Sequence, residues 1–146
     1  MVSPTFGGGR ELLRRLALEG NGWVGFEVTT PRPLALRVAG HVLDERGLAP
    51  LDAFDQQALL DEAMDAALAG PVARRFRELS EGVGFREAVH NAVTALRLAG
   101  LGSGEVEGSR LPDWKKRRFI AQVTARYESL LKERRRADTG TILAVA

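Results

Sequence analysis

Four consecutive basic residues lie near the start of the longest stretch of the chain that lacks both glycine and proline. They are Lys115, Lys116, Arg117 and Arg118, and Arg126 follows within the same stretch. Lysine and arginine bind phosphate oxygens through their charge, with release of counterions and without reading base sequence. A basic run can equally be a solvated helix face with acidic neighbours. The pattern therefore predicts either a phosphate-binding surface or a solubilising one.

Trp114 directly precedes this basic run. An indole beside lysines can stack on a nucleic-acid base, as aromatic side chains do in channels that hold single strands. It can also anchor the start of a helix by packing on the core, because large aromatic side chains are mostly buried. We include Trp114 with the five basic residues as a candidate DNA contact. The arginines Arg74, Arg75 and Arg77 are weaker candidates.

The other residue types form no pattern typical of an active site. The chain contains no cysteine, which excludes disulfides, cysteine nucleophiles and thiolate metal sites. His41 and His90 are far apart in sequence, so a metal site is not predicted, and His41 is expected to be an ordinary, partly buried histidine. The acidic residues Asp61, Glu62 and Asp65 share one predicted helix, where such a cluster usually serves solubility. We expect no catalytic residue, no metal site and no cofactor in this chain, and standalone enzyme activity is not favoured.

The basic residues belong to a long amphipathic helix predicted from Trp114 to Arg136. Pro112 and Asp113 lie just ahead of it and are typical of a helix start. Its apolar residues recur at steps of three and four, which predicts one buried stripe. The stripe contains Phe119, Ile120, Val123, Tyr127, Leu130 and Leu131.

Shorter helices are predicted ahead of the long one. Their expected ranges are 10–19, 31–45, 52–69, 72–81 and 84–100. The first is expected to bury Leu12, Leu13 and Leu16, the second Leu34, Val38 and Val42, and the fourth Phe76 and Leu79. Residues 100–108 are expected to form a glycine-rich loop. The fold class is therefore mainly α, with about six helices.

Two segments of the N-terminal part lack the helical repeat of apolar residues. Residues 1–9 end in three glycines and are expected to be a flexible leader ahead of a single domain over residues 10–146. Arg10 follows these glycines, so the lysine of a nucleotide-binding loop is missing. The range Trp23 to Thr30 alternates apolar and other residues, which predicts one short strand. A lone strand needs a partner, either outside this chain or on its helices.

Composition is that of an ordinary globular domain. The chain has 146 residues and a formal net charge of +2. Acidic residues concentrate in the middle and basic ones in the C-terminal third, which permits nucleic acid as a partner without requiring it. No apolar run has the length of a membrane span, and the N-terminus lacks a signal-peptide pattern, so we expect no membrane association and a cytoplasmic location.

The order of these segments resembles the helical region inserted into the N-terminal helicase domain of AddB-type helicase/nuclease subunits and related UvrD-like and RecBCD-type helicases. The strand and following helix resemble its beginning, and the turn Val83, Gly84 and Phe85 resembles a turn inside it. The similarity at the end of the chain is carried by Tyr127, Leu130, Leu131, Asp138, Ile142, Leu143 and Ala146. The chain departs from the family at Thr139 and Gly140, where a large apolar residue and a further acid are common.

The resemblance implies a non-catalytic domain from an ATP-dependent DNA helicase/exonuclease of recombination and repair. The family's phosphate-binding motif and its magnesium-holding Asp-Glu pair are missing, so the chain is expected to be a fragment of a larger polypeptide, with ATP and magnesium in the parent protein alone. Its partners would be single-stranded or duplex DNA and the rest of the helicase or a partner subunit. The alternative is a helical scaffold that docks on the ATPase core or a partner subunit without binding DNA.

Overall fold

The computed structural model describes residues 1–20 and 25–146 and is mainly helical. In these two ranges there are eight α-helices and two very short strands. The helices are α1 Phe6–Leu18, α2 Pro31–Glu45, α3 Ala53–Ala69, α4 Arg74–Arg77, α5 Val83–Leu98, α6 Ser103–Gly108, α7 Trp114–Glu133 and α8 Thr139–Val145. The strands are β1 Ala49–Pro50 and β2 Arg136–Ala137. None of the described helices is both long and apolar enough to cross a membrane.

The main core forms where α3 and α5 pack against α7. The predicted apolar stripe of α7 is confirmed, because all six of its residues are buried. Burying one such side chain contributes about 1.5–3 kcal/mol. The Phe119 ring lies 4.7 Å from the Phe76 ring and 6.0 Å from the Phe85 ring, centroid to centroid. The long helix is thus the central element of the fold.

The C-terminal end of α7 differs from the prediction, because the helix stops at Glu133 and does not reach Arg136. Arg135 has a φ of 51°, in the left-handed region that ends a helix. The chain then forms β2, which runs parallel to β1. The amides of Ala49 and Leu51 donate to the carbonyls of Arg135 and Ala137. Pro50 lies between these two donors, at a position where the strand pairing needs no amide proton.

A second, smaller core joins α2 to α8. It contains Ala35, Ala39, Leu43, Ala137 and Ile142. The buried face of α2 is therefore shifted by one residue toward the C-terminus from the predicted one. Val38, which was expected to be buried, is 56% exposed. The small side chains of the two alanines allow α8 to approach closely. The residues after Asp138, which lie beyond the last predicted helix, thus form a short packed helix with Ile142 buried.

The N-terminal helix begins earlier than predicted, so the glycines of the expected leader lie inside it. Thr5 caps α1 by accepting from the amide of Gly8 at 3.1 Å. A Cβ built on Gly9 would lie 2.4 Å from Cγ1 of Val28. Glycine at position 9 therefore permits close packing, a role that the sequence pattern does not distinguish from a loop. Leu13 is buried as predicted, but Leu12 and Leu16 are 49% and 38% exposed.

The predicted strand Trp23 to Thr30 is described only from Gly25 onward, and Trp23 and Val24 lie outside the described residues. The described part is extended and makes one bridge, in which Thr29 pairs in parallel with Val2. The Thr29 amide donates to the Met1 carbonyl at 3.0 Å. The partner of this segment is therefore the start of the same chain, not a separate sheet.

Three further predictions differ from the structure. The range 72–81 is not one helix but two single 3₁₀ turns on either side of α4, and Leu79 is 53% exposed, although Phe76 is buried as expected. The loop predicted over residues 100–108 contains α6, whose start is capped by a bond from the Gly102 amide to the Glu105 carboxylate. The side chain of His41, expected to be partly buried, is 83% exposed.

Candidate nucleic-acid interface

The start of α7 is held by a single carboxylate. Asp113 accepts hydrogen bonds from the amides of Lys115 and Lys116 at 3.0 and 3.1 Å. The bond from the Lys116 amide is the main reason that the pKa of Asp113 lies below its ordinary value, and the Lys115 amide and the charges of Arg75 and Lys116 add to it, against the opposing effect of burial. A negative charge is also favoured at this positive end of the helix dipole. The cap fixes the position at which the basic residues begin.

Trp114 is an exposed side chain in the structure, not a buried anchor. It is 54% exposed, and the Lys115 ammonium nitrogen lies 5.6 Å from its ring centroid. This cation–π contact contributes roughly 0.5–1 kcal/mol at an exposed site. The alternative of a core-packed tryptophan is therefore wrong, because about half of the residue is accessible to solvent.

Lys115, Lys116 and Arg118 are exposed and form no salt bridge within the described part of the chain, although the charge of Lys116 helps to lower the pKa of Asp113. Lys115 and Arg118 are three residues apart and so share a face of α7, while Lys116 lies further around the helix. We call these three residues together with Trp114 the cationic end of α7. Asp113 offsets part of this charge, and the remaining positive charge attracts phosphate groups.

Arg117, which was predicted to join this group, serves the neighbouring loop. Its guanidinium donates to the carbonyl of Ser109 at 2.6 Å and is half-buried. Forming a phosphate contact would break this bond. The structure therefore separates Arg117 from its three neighbours.

Arg126 is also separated from the cationic end, by distance and by pairing. It lies eleven residues beyond Lys115, or about 16 Å along the helix. Its guanidinium lies 2.9 Å from the Glu133 carboxylate and 3.9 Å from that of Glu62. Because two carboxylates already neutralise Arg126, it adds little to an anion-binding surface.

The basic residues at the C-terminal end of α7 meet acidic residues of α3. Arg134 pairs with Glu62, and Arg136 pairs with Asp55. The remaining acids of α3 are paired too, since Asp61 and Asp65 both accept from Arg86. The solvated-face interpretation therefore fits Arg134 and Arg136, while Lys132 and Arg135 at this end are exposed and form no salt bridge within the described residues. In the described ranges, no group of three or more histidine or acidic side chains could hold a metal ion.

The weaker candidates on α4 have mixed roles. Arg77 donates to the carbonyls of Leu68, Ala69 and Gly70 at 2.9–3.3 Å, so it caps the end of α3. Arg75 lies 3.7 Å from the Asp113 carboxylate, which places α4 beside the cationic end of α7. Because Arg75 pairs with Asp113, it offsets the negative charge of the cap beside the cationic end.

A comparison of the chain with protein-family models, with curated proteins and with solved structures finds no match.

Proposed function

We propose that this chain is a non-catalytic helical domain that contacts the phosphate backbone of DNA through the cationic end of α7, within an ATP-dependent helicase/exonuclease. The observation that supports DNA contact is the difference between the two ends of α7. Within the described ranges, Lys115, Lys116 and Arg118 are exposed and form no salt bridge, whereas at the other end Arg126, Arg134 and Arg136 are paired with carboxylates and Lys132 and Arg135 are exposed without a salt bridge. Three cations without a salt bridge in the four residues 115–118 form a denser positive surface than the two at the other end. The helicase setting rests on the sequence resemblance alone.

The expected contact is with backbone and not with base edges. Lysine and arginine side chains on one helix end provide charge without the paired donors and acceptors that read bases in a groove. Trp114 adds a ring on which an unpaired base can stack, and such stacking is tolerant of sequence. We therefore expect single-stranded DNA to bind more tightly than duplex DNA, without sequence preference.

The test is binding to labelled single-stranded and duplex DNA over a salt series. One variant changes Lys115, Lys116 and Arg118 to Ala, and a control with the same charge change converts Arg15, Arg46 and Lys132 to Ala. Three lost phosphate contacts should reduce the slope of log affinity against log salt by about 2 to 3 on duplex DNA. The control variant should retain the wild-type slope. Equal slopes in the two variants would reject the cationic end as the DNA contact.

Trp114→Ala provides a second arm of the same experiment. Loss of one stacked base should weaken single-strand binding by roughly fivefold or more, while duplex binding should change little. Equal weakening on both DNA forms would assign Trp114 a structural role.

The second candidate is a scaffold that docks on the ATPase core or a partner subunit without binding DNA. The observation that favours it is the pair Leu12 and Leu16, which share one face of α1 and are 49% and 38% exposed. Exposed apolar patches commonly mark protein contacts. This candidate predicts no DNA binding even at low salt.

A further inference from the structure

The short loop that joins the end of α6 to the start of α7 is fixed at both of its ends. The Ser109 amide donates to the carbonyl of Val106, which is buried in the main core. At the other end Asp113 caps α7. Arg110 follows Ser109 directly, and its Cα lies no more than about 11 Å from that of Asp113, because an extended chain spans at most about 3.6 Å per residue. Arg110 is therefore held near the cationic end of α7.

Arg117 fixes this loop against the side of α7. Its guanidinium donates to the Ser109 carbonyl at 2.6 Å. Trp114 and Arg117 are three residues apart, so their side chains are neighbours on the helix surface. The hydrogen bond to Ser109 therefore holds the start of the loop on the side of the helix that carries Trp114, and Arg110 is the next residue.

The Arg110 side chain faces outward from this loop. Ser109, Leu111, Pro112 and Asp113 line an apolar groove between α5 and α7, whereas Arg110 does not line it and is exposed. The acids nearest to Arg110 along the chain are Glu107 and Asp113, and within the described residues it forms no salt bridge with either. Asp113 instead pairs with Arg75 at 3.7 Å. The Arg110 guanidinium is therefore accessible to an anion.

We infer that Arg110 is a further DNA contact, which binds the phosphate next to the base stacked on Trp114, and that Arg117 is the residue that positions it. This inference rests on the DNA-binding function proposed above. A guanidinium can hold two oxygens of one phosphate at once, and a ring beside it holds the base of the same strand. The inference also gives a role to the one cation of residues 115–118 that is directed toward the loop.

The first measurement is binding of a labelled oligothymidylate to the intact chain over a salt series. Arg110→Ala removes one phosphate contact and should reduce the slope of log affinity against log salt by about 0.7. Arg46→Ala is the matched control, because Arg46 is exposed at the end of α2 and forms no salt bridge in the described ranges. It should retain the wild-type slope. Equal slopes in the two variants would overturn the contact.

A double-mutant cycle measures the positioning role of Arg117. Arg117→Met removes the donor to the Ser109 carbonyl and should weaken binding to the oligothymidylate by about two- to fivefold, because Arg110 is no longer held in place. The same change in the Arg110→Ala protein should have little effect, since no side chain is left to position. Equal weakening in the two backgrounds would show that Arg117 acts independently of Arg110 and would overturn this role.

A second cycle tests the link between Arg110 and Trp114. Without the indole the strand is not fixed beside the loop, so Arg110→Ala should weaken binding less in the Trp114→Ala protein than in the wild type. Additive losses would place the phosphate held by Arg110 away from the stacked base, and would overturn that part of the inference.

Failure of this inference can be distinguished from failure of the proposed function. The Arg110 contact alone is refuted if Arg110→Ala behaves like the wild type while the variant that lacks Lys115, Lys116 and Arg118 loses affinity. A wild-type chain that binds no DNA even at low salt refutes both.

Discussion

Arg97 and Asp138 form a shielded ion pair that links α5 to the start of α8. The Arg97 side chain is 20% exposed and that of Asp138 is 3% exposed, with 3.0 Å between Nε and Oδ2. Arg97 also donates to Glu128 at 3.2 Å and to the Thr141 hydroxyl at 3.1 Å. The close approach needs a glycine at position 140, because a Cβ there would lie 2.5 Å from the Arg97 carbonyl oxygen.

The pKa of Asp138 shows how burial and hydrogen bonding compete. Burial alone would raise it, but hydrogen bonds from the Arg97 side chain and from the hydroxyl and amide of Thr141 hold it below its ordinary value. Burial likewise acts to lower the pKa of Arg97, and Asp138 raises it above its ordinary value. Both directions favour the charged pair in the folded protein.

We predict that Asp138→Asn, which keeps a capping oxygen for α8, destabilises the protein by about 3 kcal/mol at pH 7, because it leaves Arg97 with weaker compensation. The folded pKa of Asp138 is below its unfolded value, so its stabilisation is complete above the unfolded pKa of about 4 and is lost as pH falls through the folded pKa. Urea unfolding at a series of pH values measures this. The difference between wild type and variant should shrink toward low pH.

Asp44→Asn is the control for this experiment, because Asp44 is exposed and its carboxylate has no ion-pair partner within the described residues. Its stability should match wild type at every pH. A pH-independent difference between wild type and Asp138→Asn would mean that the lost charge is not the cause.

At the residue scale, sequence identified basic side chains but not their partners. Lys115 and Arg134 both belong to basic runs of the predicted long helix, and the sequence does not tell them apart. The packing against α3 shows that Arg134 is paired with Glu62. Arg97 was not singled out at all, because a single arginine on an amphipathic helix has no distinguishing pattern. The Asp138 position was noted through the family resemblance, yet its partner required the fold.

At the element scale, the start of α7 combines a cap and a binding surface. Asp113 stabilises the helix through two amides, but it also places a negative charge among Lys115, Lys116 and Arg75. These two effects can be separated by substitution. The helix needs an oxygen acceptor, whereas the electrostatic effect needs a charge.

We predict that Asp113→Ala lowers the thermal midpoint by a few degrees, because the first turn of α7 loses its cap. Asp113→Ser retains a capping oxygen and should melt close to wild type. Both variants lack the negative charge, so both should bind DNA as tightly as wild type or more tightly. Calorimetric melting and DNA titration of the two variants measure this, and weaker DNA binding by Asp113→Ser would argue against electrostatic attraction.

Long amphipathic elements were the most predictable part of the fold. All six residues of the predicted α7 stripe are buried, because the repeat of apolar residues from Phe119 to Leu131 identifies the buried face clearly. The short helices α4 and α6 were misassigned because each has too few residues to show a helical repeat of apolar side chains. Glycines in and around α6 also favoured the prediction of a loop. The face of α2 was misplaced because valine is more apolar than alanine, although close contact with α8 favours the smaller side chain.

At the scale of the whole molecule, packing is uneven. The two buried clusters contain residues of α2, α3, α5, α6, α7 and α8 but none of α1. In α1, Gly9 and Leu13 are buried, and its packing against the extended segment at Val28 depends on the missing side chain at Gly9. Elements with few buried apolar side chains open more easily than the core.

We predict that amide hydrogen exchange in the native protein is fastest, among the long helices, in α1 and slowest in α3 and α7, with α1 protection lower by at least roughly tenfold.

Two glycine variants test the cause. Gly9→Ala should raise exchange in α1, because its methyl group would collide with Val28, while Gly7→Ala, whose Cβ would meet nothing within 4 Å, should slow it because alanine favours helix. Exchange in α7 should be unchanged in both. Mass spectrometry of exchanged fragments measures these rates, and equal protection of α1 and α7 in the wild type would show that α1 unfolds with the core.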